Sequence, residues 1–392
     1  MRILHFIASI DSATGGPVEG LRQRCVIYCN SGHEVEVATL DSPAFVAKCD
    51  FPAKVIGLGP GWGTYRYSRH AMPWLKANLA RFDVVFINGI WNYNTLAGYR
   101  ALAGGKIPWA IFTHGMLDPY FERRFPLKHL KKTLYWHVIL RRAMRDANAV
   151  LFTCEEERVL ARQSFSRYSV REAVVPYGTF GPNCDTAAAS KEFLARWPEL
   201  GGRRLAIFMG RIHPKKGTDL LIEAFAETLG KDAAWQLVIA GPDQIGWRKE
   251  LEALAERLGV AQRITWTGSL VGTLKWGALS ASEVLVLPSH QENFGIVVAE
   301  ALACGLPVIV SQKVNIWREV VKCGAGLVGA DTIEGTKSSL RRWAALSAEE
   351  IAALRMRARK CFEGEFDFNH TAKIVMENVE CVARGSKSEE QL

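Results

Sequence analysis

Short β-branched runs alternate with longer stretches of helical period along most of the chain. In the first half, Arg2–Ile10, Glu34–Thr39, Val55–Leu58, Asp83–Asn88, Trp109–Thr113, Ala149–Thr153 and Glu172–Val175 have the length and flanking turn residues of buried strands. In the second half, Arg204–Met209, Gln236–Ala240, Arg263–Thr267, Glu283–Leu287 and Pro307–Val310 alternate with helical patterns at about 217–229, 247–258, 271–280, 295–304 and 315–322. Continuous apolar strands separated by helices signal parallel sheets covered on both faces. The expected fold class is therefore α/β, with two Rossmann-like, doubly wound parallel-sheet domains facing an interdomain cleft. The Gly- and Pro-rich stretch Pro176–Gly202 is the expected boundary, with domains over 1–180 and 203–366. A last helical pattern, about Asn369–Ala383 within 367–384, precedes a polar tail over 385–392 that is expected to fray.

Composition changes this picture little. A hydrophobic fraction of 48% over 392 residues supplies ample core for two domains. Nine cysteines carry no C-x-x-C pair and no Cys/His cluster, so neither a disulfide framework nor a zinc site is indicated, and a reducing cytoplasm is the expected location. The opening M-R-I-L-H-F-I-A-S-I-D is expected to be a buried strand and not a signal peptide.

Charge is unevenly placed. Residues 1–180 hold 23 Lys/Arg against 14 Asp/Glu, while the remainder balances at 26 against 26, so the net +9 lies wholly in the first half. Within 122–145 eight cations (Arg123, Arg124, Lys128, Lys131, Lys132, Arg141, Arg142, Arg145) face Glu122 alone, interleaved with Phe125, Leu130, Leu134, Tyr135, Trp136 and Ile139. Such a segment suits an anionic membrane surface or an anionic acceptor, or serves as a solvated helix face over a core stripe. Nucleic acid is not expected, since no helix-turn-helix, finger or RNP-like pattern accompanies the charge.

The chemistry gathers beyond strand ends, where open α/β sheets bind ligands. After the first strand, Gly15 and Gly16 let the backbone pass close to a ligand before Pro17 opens a helix, although no G-x-G-x-x-G fingerprint is present. His114 ends an apolar strand in T-H-G-M-L-D-P-Y. Arg211 and Lys216 follow the strand R-L-A-I-F-M-G, and a guanidinium fork with a compact ammonium can neutralise a diphosphate without metal. Glu292 and Glu300 bracket Asn293, Phe294 and Gly295 at the mouth of an apolar helix, whose free N–H groups suit an anion. Cations, amides and carboxylates in that order fit a nucleotide sugar, with diphosphate between two hydroxyl-bearing ends.

The segments M-G-R-I-H-P-K-K-G-T-D-L-L-I-E-A-F and P-S-H-Q-E-N-F-G-I-V-V-A-E-A-L-A-C-G-L-P-V-I-V resemble the signature of retaining glycosyltransferases of family 4, which have the GT-B architecture. The similarity extends over almost the whole chain, and T-H-G-M-L-D-P-Y resembles a segment of polysaccharide-assembly members. The resemblance implies that Arg211 and Lys216 bind the donor diphosphate, Glu300 the nucleotide ribose and Glu292 the donor-sugar hydroxyls. Asn293, Phe294 and Gly295 would approach that sugar through backbone amides, though many relatives carry Gly where Asn293 stands. Gly16, beside Gly15, would lie near donor phosphate and acceptor, and His114 near the sugar's primary hydroxyl. The C-terminal helix would cross back onto the first domain. Trp91 and Asn92, with His114, are the expected acceptor contacts, although Trp91 also suits the core.

The expected reaction is transfer of a hexosyl unit from a UDP- or GDP-linked sugar to a saccharide acceptor, lipid-linked as in O-antigen, capsule or exopolysaccharide assembly. No cofactor and no metal are expected, and the absence of a D-x-D triplet fits the latter. The expected location is cytoplasmic, at the inner face of the membrane. Negative charge grows on the leaving diphosphate, so Arg211, Lys216, Glu292 and His114 are the candidate catalytic group, with no base assigned. A glycoside hydrolase would leave the cations without purpose. A nucleotide-sugar epimerase, a phosphorylase and a non-catalytic nucleotide-sugar-binding protein are the remaining alternatives.

Overall fold

The computed structural model describes residues 1–11, 15–120 and 126–385. The chain forms two compact units, Met1–Tyr177 together with the segment from Thr371, and Gly178–His370.

The first unit holds seven parallel strands, β1 (Arg2–Ile7), β2 (Glu34–Thr39), β3 (Lys54–Gly57), β4 (Val84–Asn88), β5 (Trp109–Phe112), β6 (Ala149–Phe152) and β7 (Glu172–Val174), in the order β3-β2-β1-β4-β5-β6-β7. Leu4, Phe6, Val85, Ile87, Ile111 and Val150 fill its core, as expected of strands buried on both faces. The sequence places the end of β1 at Ile10, but the strand stops at Ile7. Beyond it Ser9 Oγ and Ile10 N both donate to the buried Asp41 carboxylate at 2.8 Å, which draws the backbone out of the ladder.

The second unit holds six parallel strands, β8 (Arg204–Met209), β9 (Trp235–Ala240), β10 (Ile264–Gly268), β11 (Val284–Leu287), β12 (Val308–Ser311) and β13 (Gly326–Gly329), in the order β10-β9-β8-β11-β12-β13. In each sheet the strand order reverses at one place, between β1 and β4 and between β8 and β11. A crevice opens at such a reversal because successive crossovers leave on opposite faces. The glycine loop follows β1 and Trp91 and Asn92 follow β4. Arg211 and Lys216 follow β8, and Glu292 follows β11.

The boundary between the two units, after Tyr177, falls inside the expected Pro176–Gly202 stretch. Residues from Gly178 belong to the second unit, and a helix, Thr186–Arg196, occupies the middle of the stretch. Asp185 caps it through Ala187 N at 2.8 Å and Ala188 N at 3.3 Å. It packs so closely on the Gly272–Ala281 helix that a Cβ at Gly277 would run into the Ala189 carbonyl. The Gly and Pro residues mark its ends, whereas the run between them is rich in helix formers.

Candidate active site

The loop after β8 is built around one glycine. His213 Nδ1 accepts from Lys215 N at 3.1 Å and starts a single turn over Pro214–Lys216, which Gly217 ends at φ 67°. A Cβ on Gly217 would collide with the Pro288 carbonyl, so both conformation and space demand glycine. His290 N donates to the Lys215 carbonyl at 2.9 Å and ties this loop to the one after β11. Lys216, its side chain 14% exposed, reaches across and pairs with Glu292.

Burial, then Lys215 and Arg211 nearby, pull the Lys216 ammonium down to about 7, while the Glu292 carboxylate works in the opposite direction. His213 is lowered by burial and by the same three cations. Arg211 itself is exposed. One short loop thus gathers three cations against the single carboxylate of Glu292.

Glu292 is held at both backbone groups, donating to Lys313 O at 2.8 Å and accepting from Asn315 N at 3.0 Å. Gly295, at φ 78°, opens the Ile296–Ala303 helix with no side-chain cap, and a Cβ there would press on Glu292 Cγ and Val314 Cγ1, both at 3.2 Å. Phe294 is buried edge-on to Phe366 with centroids 5.7 Å apart, and Asn293 beside it is half-buried. Glu300, on the same helix and 7% exposed, accepts from Lys275 Nζ at 2.6 Å. Lys275 belongs to the Gly272–Ala281 helix, and nothing in its sequence surroundings marks it out. The cations Arg211 and Lys216 and the carboxylate Glu292 therefore share one corner of this unit, and Glu300 enters it already paired.

In the first unit Gly15, at φ 98°, precedes the Gly16–Asn30 helix, and a Cβ on either Gly15 or Gly16 would meet nothing within 4 Å. Space is open there. The Tyr177 hydroxyl donates to the Gly16 carbonyl at 2.9 Å. His114 takes φ 49° and is half-buried. Its loop is clamped by buried Glu157, which accepts from Thr113 Oγ1 and Gly115 N at 2.5 Å and from Thr153 N at 2.8 Å. Burial, with the Arg24 guanidinium nearby, pulls His114 down to about 3, so it is neutral near pH 7.

Trp91 donates from Nε1 to Met116 O at 3.1 Å and packs against Tyr135 and Phe165. It is half-buried, so the core alternative raised for it holds in part. Asn92 spends its amide on Thr64 O at 3.0 Å.

Two family patterns match this chain: "Glycosyl transferases group 1" over residues 190–360 and "Glycosyl transferase 4-like domain" over residues 15–178. The chain belongs to the family 4 glycosyltransferases and has the GT-B architecture. This chain is 35% identical over 222 residues to the D-inositol 3-phosphate glycosyltransferase of Segniliparus rotundus, covering 54% of this chain and 46% of that protein. An alpha-D-kanosaminyltransferase from Streptomyces kanamyceticus is 31% identical over 186 residues, covering 47% of each chain. The chain thus spans about half the length of these relatives. By fold it is similar to sucrose-phosphate synthase from Thermosynechococcus elongatus, with TM-score 0.77 and 19% identity over 98% of this chain and 100% of that one. Anabaena HepE, solved with UDP and glucose, gives 0.76 and 17% over the same shares.

The basic segment divides in two. Glu122, Arg123, Arg124 and Phe125 lie outside the described residues, as does the Lys128 side chain. Lys132, read from sequence as part of a charged face, sits with Nζ 4.6 Å from the Trp91 ring centre, and Arg141 donates to Arg167 O at 3.1 Å. Lys131, Arg142 and Arg145 are exposed. So are Leu130, Leu134 and Val138, spaced four apart on one helical stripe. Among the described residues no helix is long and apolar enough to cross a membrane.

Proposed function

We propose that the transferase moves a hexosyl unit, with retention, from a UDP- or GDP-linked sugar to a saccharide acceptor without a metal ion. The observation that carries this is the Lys216–Glu292 pair within a loop of three cations. An ammonium crowded by Lys215 and Arg211 in a poorly solvated place is short of negative charge, and a diphosphate supplies it. With the diphosphate on Lys216 and Arg211, Glu292 is released to accept hydrogen bonds from sugar hydroxyls. Cationic side chains then do the neutralisation that a metal would otherwise perform.

As the bond from the anomeric carbon to the diphosphate oxygen breaks, charge collects on that oxygen. Lys216, Arg211 and the N–H groups at the start of the Ile296–Ala303 helix meet it. The leaving oxygen takes the acceptor hydroxyl's proton, and the acceptor oxygen closes the new bond to the anomeric carbon. Glu300 holds the ribose, in exchange for part of its contact with Lys275. By their match to the family's segments, His114 is assigned to a sugar hydroxyl and Gly15 and Gly16 to a phosphate. HepE, solved with UDP-glucose, supports a uridine donor as the first candidate.

The acceptor is proposed to be lipid-linked, and the stripe Leu130, Leu134 and Val138 with Lys131 and Arg142 to rest on an anionic membrane surface. Apolar side chains at that spacing insert shallowly while the cations meet lipid phosphates. Leu134→Glu should lower co-sedimentation with vesicles containing anionic lipid, and equal sedimentation would remove this contact.

A thermal-shift panel of nucleoside diphosphates tests the donor. One of UDP or GDP should raise the melting temperature, because a ligand bound only to the native state stabilises it by mass action. A panel in which none does so overturns the proposal.

A further inference from the structure

Beneath His114 the strand ends of the first unit hold polar groups that the proposed transfer leaves unused. Asn88, the last residue of β4 and buried, stands between two imidazoles. Its Oδ1 lies 3.2 Å from His114 Nε2, and its Nδ2 lies 3.2 Å from His5 Nδ1. The carbonyl of Phe86, 3.3 Å from Nδ2, decides which end of the amide is which, since a carbonyl accepts only from N–H. Asn88 Oδ1 then has only acceptor character toward His114, so the proton between them belongs to His114 Nε2. Toward His5 the amide donates, which makes His5 Nδ1 the acceptor.

We infer that Asn88 is a positioning residue that fixes His114 as its Nε2–H tautomer, leaving the Nδ1 lone pair to receive a hydroxyl hydrogen from the substrate. The hydroxyl half of this inference rests on the proposed transfer; the tautomer does not. Among the described residues Nδ1 makes no hydrogen bond, and the rest of the ring is held. It stacks on Phe112 with centroids 5.5 Å apart, and Glu157 fixes the residues on either side. His5 is kept flat between Tyr28 and Phe86 at 5.6 and 5.0 Å. The titratable and charged groups packed against this chain include Tyr28 on His5, the Glu157 carboxylate beside His114, and Arg24, whose guanidinium lies 4.2 Å over Phe112 and donates to Pro176 O at 3.1 Å. A nearby permanent cation opposes a second proton on either imidazole. His114 therefore serves as a neutral acceptor and not as an acid.

Long-range proton–nitrogen spectra of the full chain labelled in its histidine rings test this directly, with His114 identified by the signals lost in His114→Gln. Without any substrate, His114 should show a bare Nδ1 and a protonated Nε2 at neutral pH. Asn88→Ala should mix the two tautomers and lower kcat about tenfold, the loss of one oriented hydrogen bond, with donor KM changed less than about threefold. Asn88→Asp keeps an acceptor at the same place, so it should retain the tautomer while moving the ring's titration upward by at least about one pH unit. A protonated Nδ1 in the parent, or an Asn88→Ala spectrum identical to it, overturns the inference. Failure of every nucleoside diphosphate to bind would instead strike the donor assignment and leave the ring spectrum as it is.

Discussion

If Lys216 waits for an anion, binding a nucleoside diphosphate must draw a proton from solution. With the free ammonium at about 7, roughly half of the molecules lack that proton at pH 7 and nearly all lack it at pH 8.5. A bound diphosphate restores the charge, so uptake should be about 0.5 proton at pH 7 and close to one at pH 8.5. The same protonation cost weakens binding about fifteenfold between those pH values. Both quantities come from titration calorimetry of UDP and GDP in two buffers of different ionisation enthalpy. The terminal phosphate of the nucleotide, with a second pKa of about 6, is fully ionised at pH 8.5, so the proton taken up there comes to the protein. Lys216→Arg is the control, since its guanidinium stays charged and should bind with little uptake and a flat pH dependence. His213, lowered by the same cations, remains in that variant and would reveal its own share. Uptake below about 0.2 proton at both pH values would show that Glu292 keeps Lys216 charged without ligand. Uptake unchanged in Lys216→Arg would place the titrating group elsewhere. Either result refutes the anion-starved lysine.

Three further outcomes are expected. Gly217→Ala forces an L-residue into a left-handed conformation against the Pro288 carbonyl and should cost about 2–4 kcal/mol in chemical denaturation while weakening nucleotide binding; a loss under about 0.5 kcal/mol would contradict the geometry. Lys275→Met strands the buried Glu300 carboxylate and should cost about 3 kcal/mol, most of it recovered in Lys275→Met with Glu300→Gln, whereas additive losses would mean that the pair is not coupled. His5, pulled to about 3 by burial with help from Arg24 and His114, is neutral in the folded protein but titrates normally when unfolded. The unfolded chain thus binds more protons between pH 6.5 and 3, so stability falls on acidification by about 1.4 kcal/mol per pH unit for this residue, and His5→Phe should flatten the measured slope by one proton.

The sheet frameworks were legible because parallel strands are continuous apolar runs, and twelve of the strands appear near their expected places. β13 escaped notice because G-L-V-G is short and glycine-bounded. The glycine serves the edge itself, since a Cβ at Gly326 would strike the Val308 carbonyl. The Ile333–Ala344 and Ala348–Cys361 helices were also missed, although Ser347 and Glu350 form a capping box that the run S-A-E-E announces. Around the candidate site, type and order single out residues of the loops after β8 and β11, and the fold brings those two loops together. It could not find Lys275, whose importance depends on which helix neighbours Glu300. Nor could it choose Glu157 among three successive glutamates, since only the fold decides which one turns inward to hold the His114 loop. Asn88 reads in sequence as the plain end of a strand.

The hydrogen bond from His290 to the Lys215 carbonyl, with Gly217 seated against Pro288, makes two distant stretches of sequence one mechanical part. An engineer hoping to transplant donor preference from a relative must therefore exchange both stretches together. A chimera carrying only one of them would inherit a seam of mismatched backbone at the place proposed to grip the leaving group.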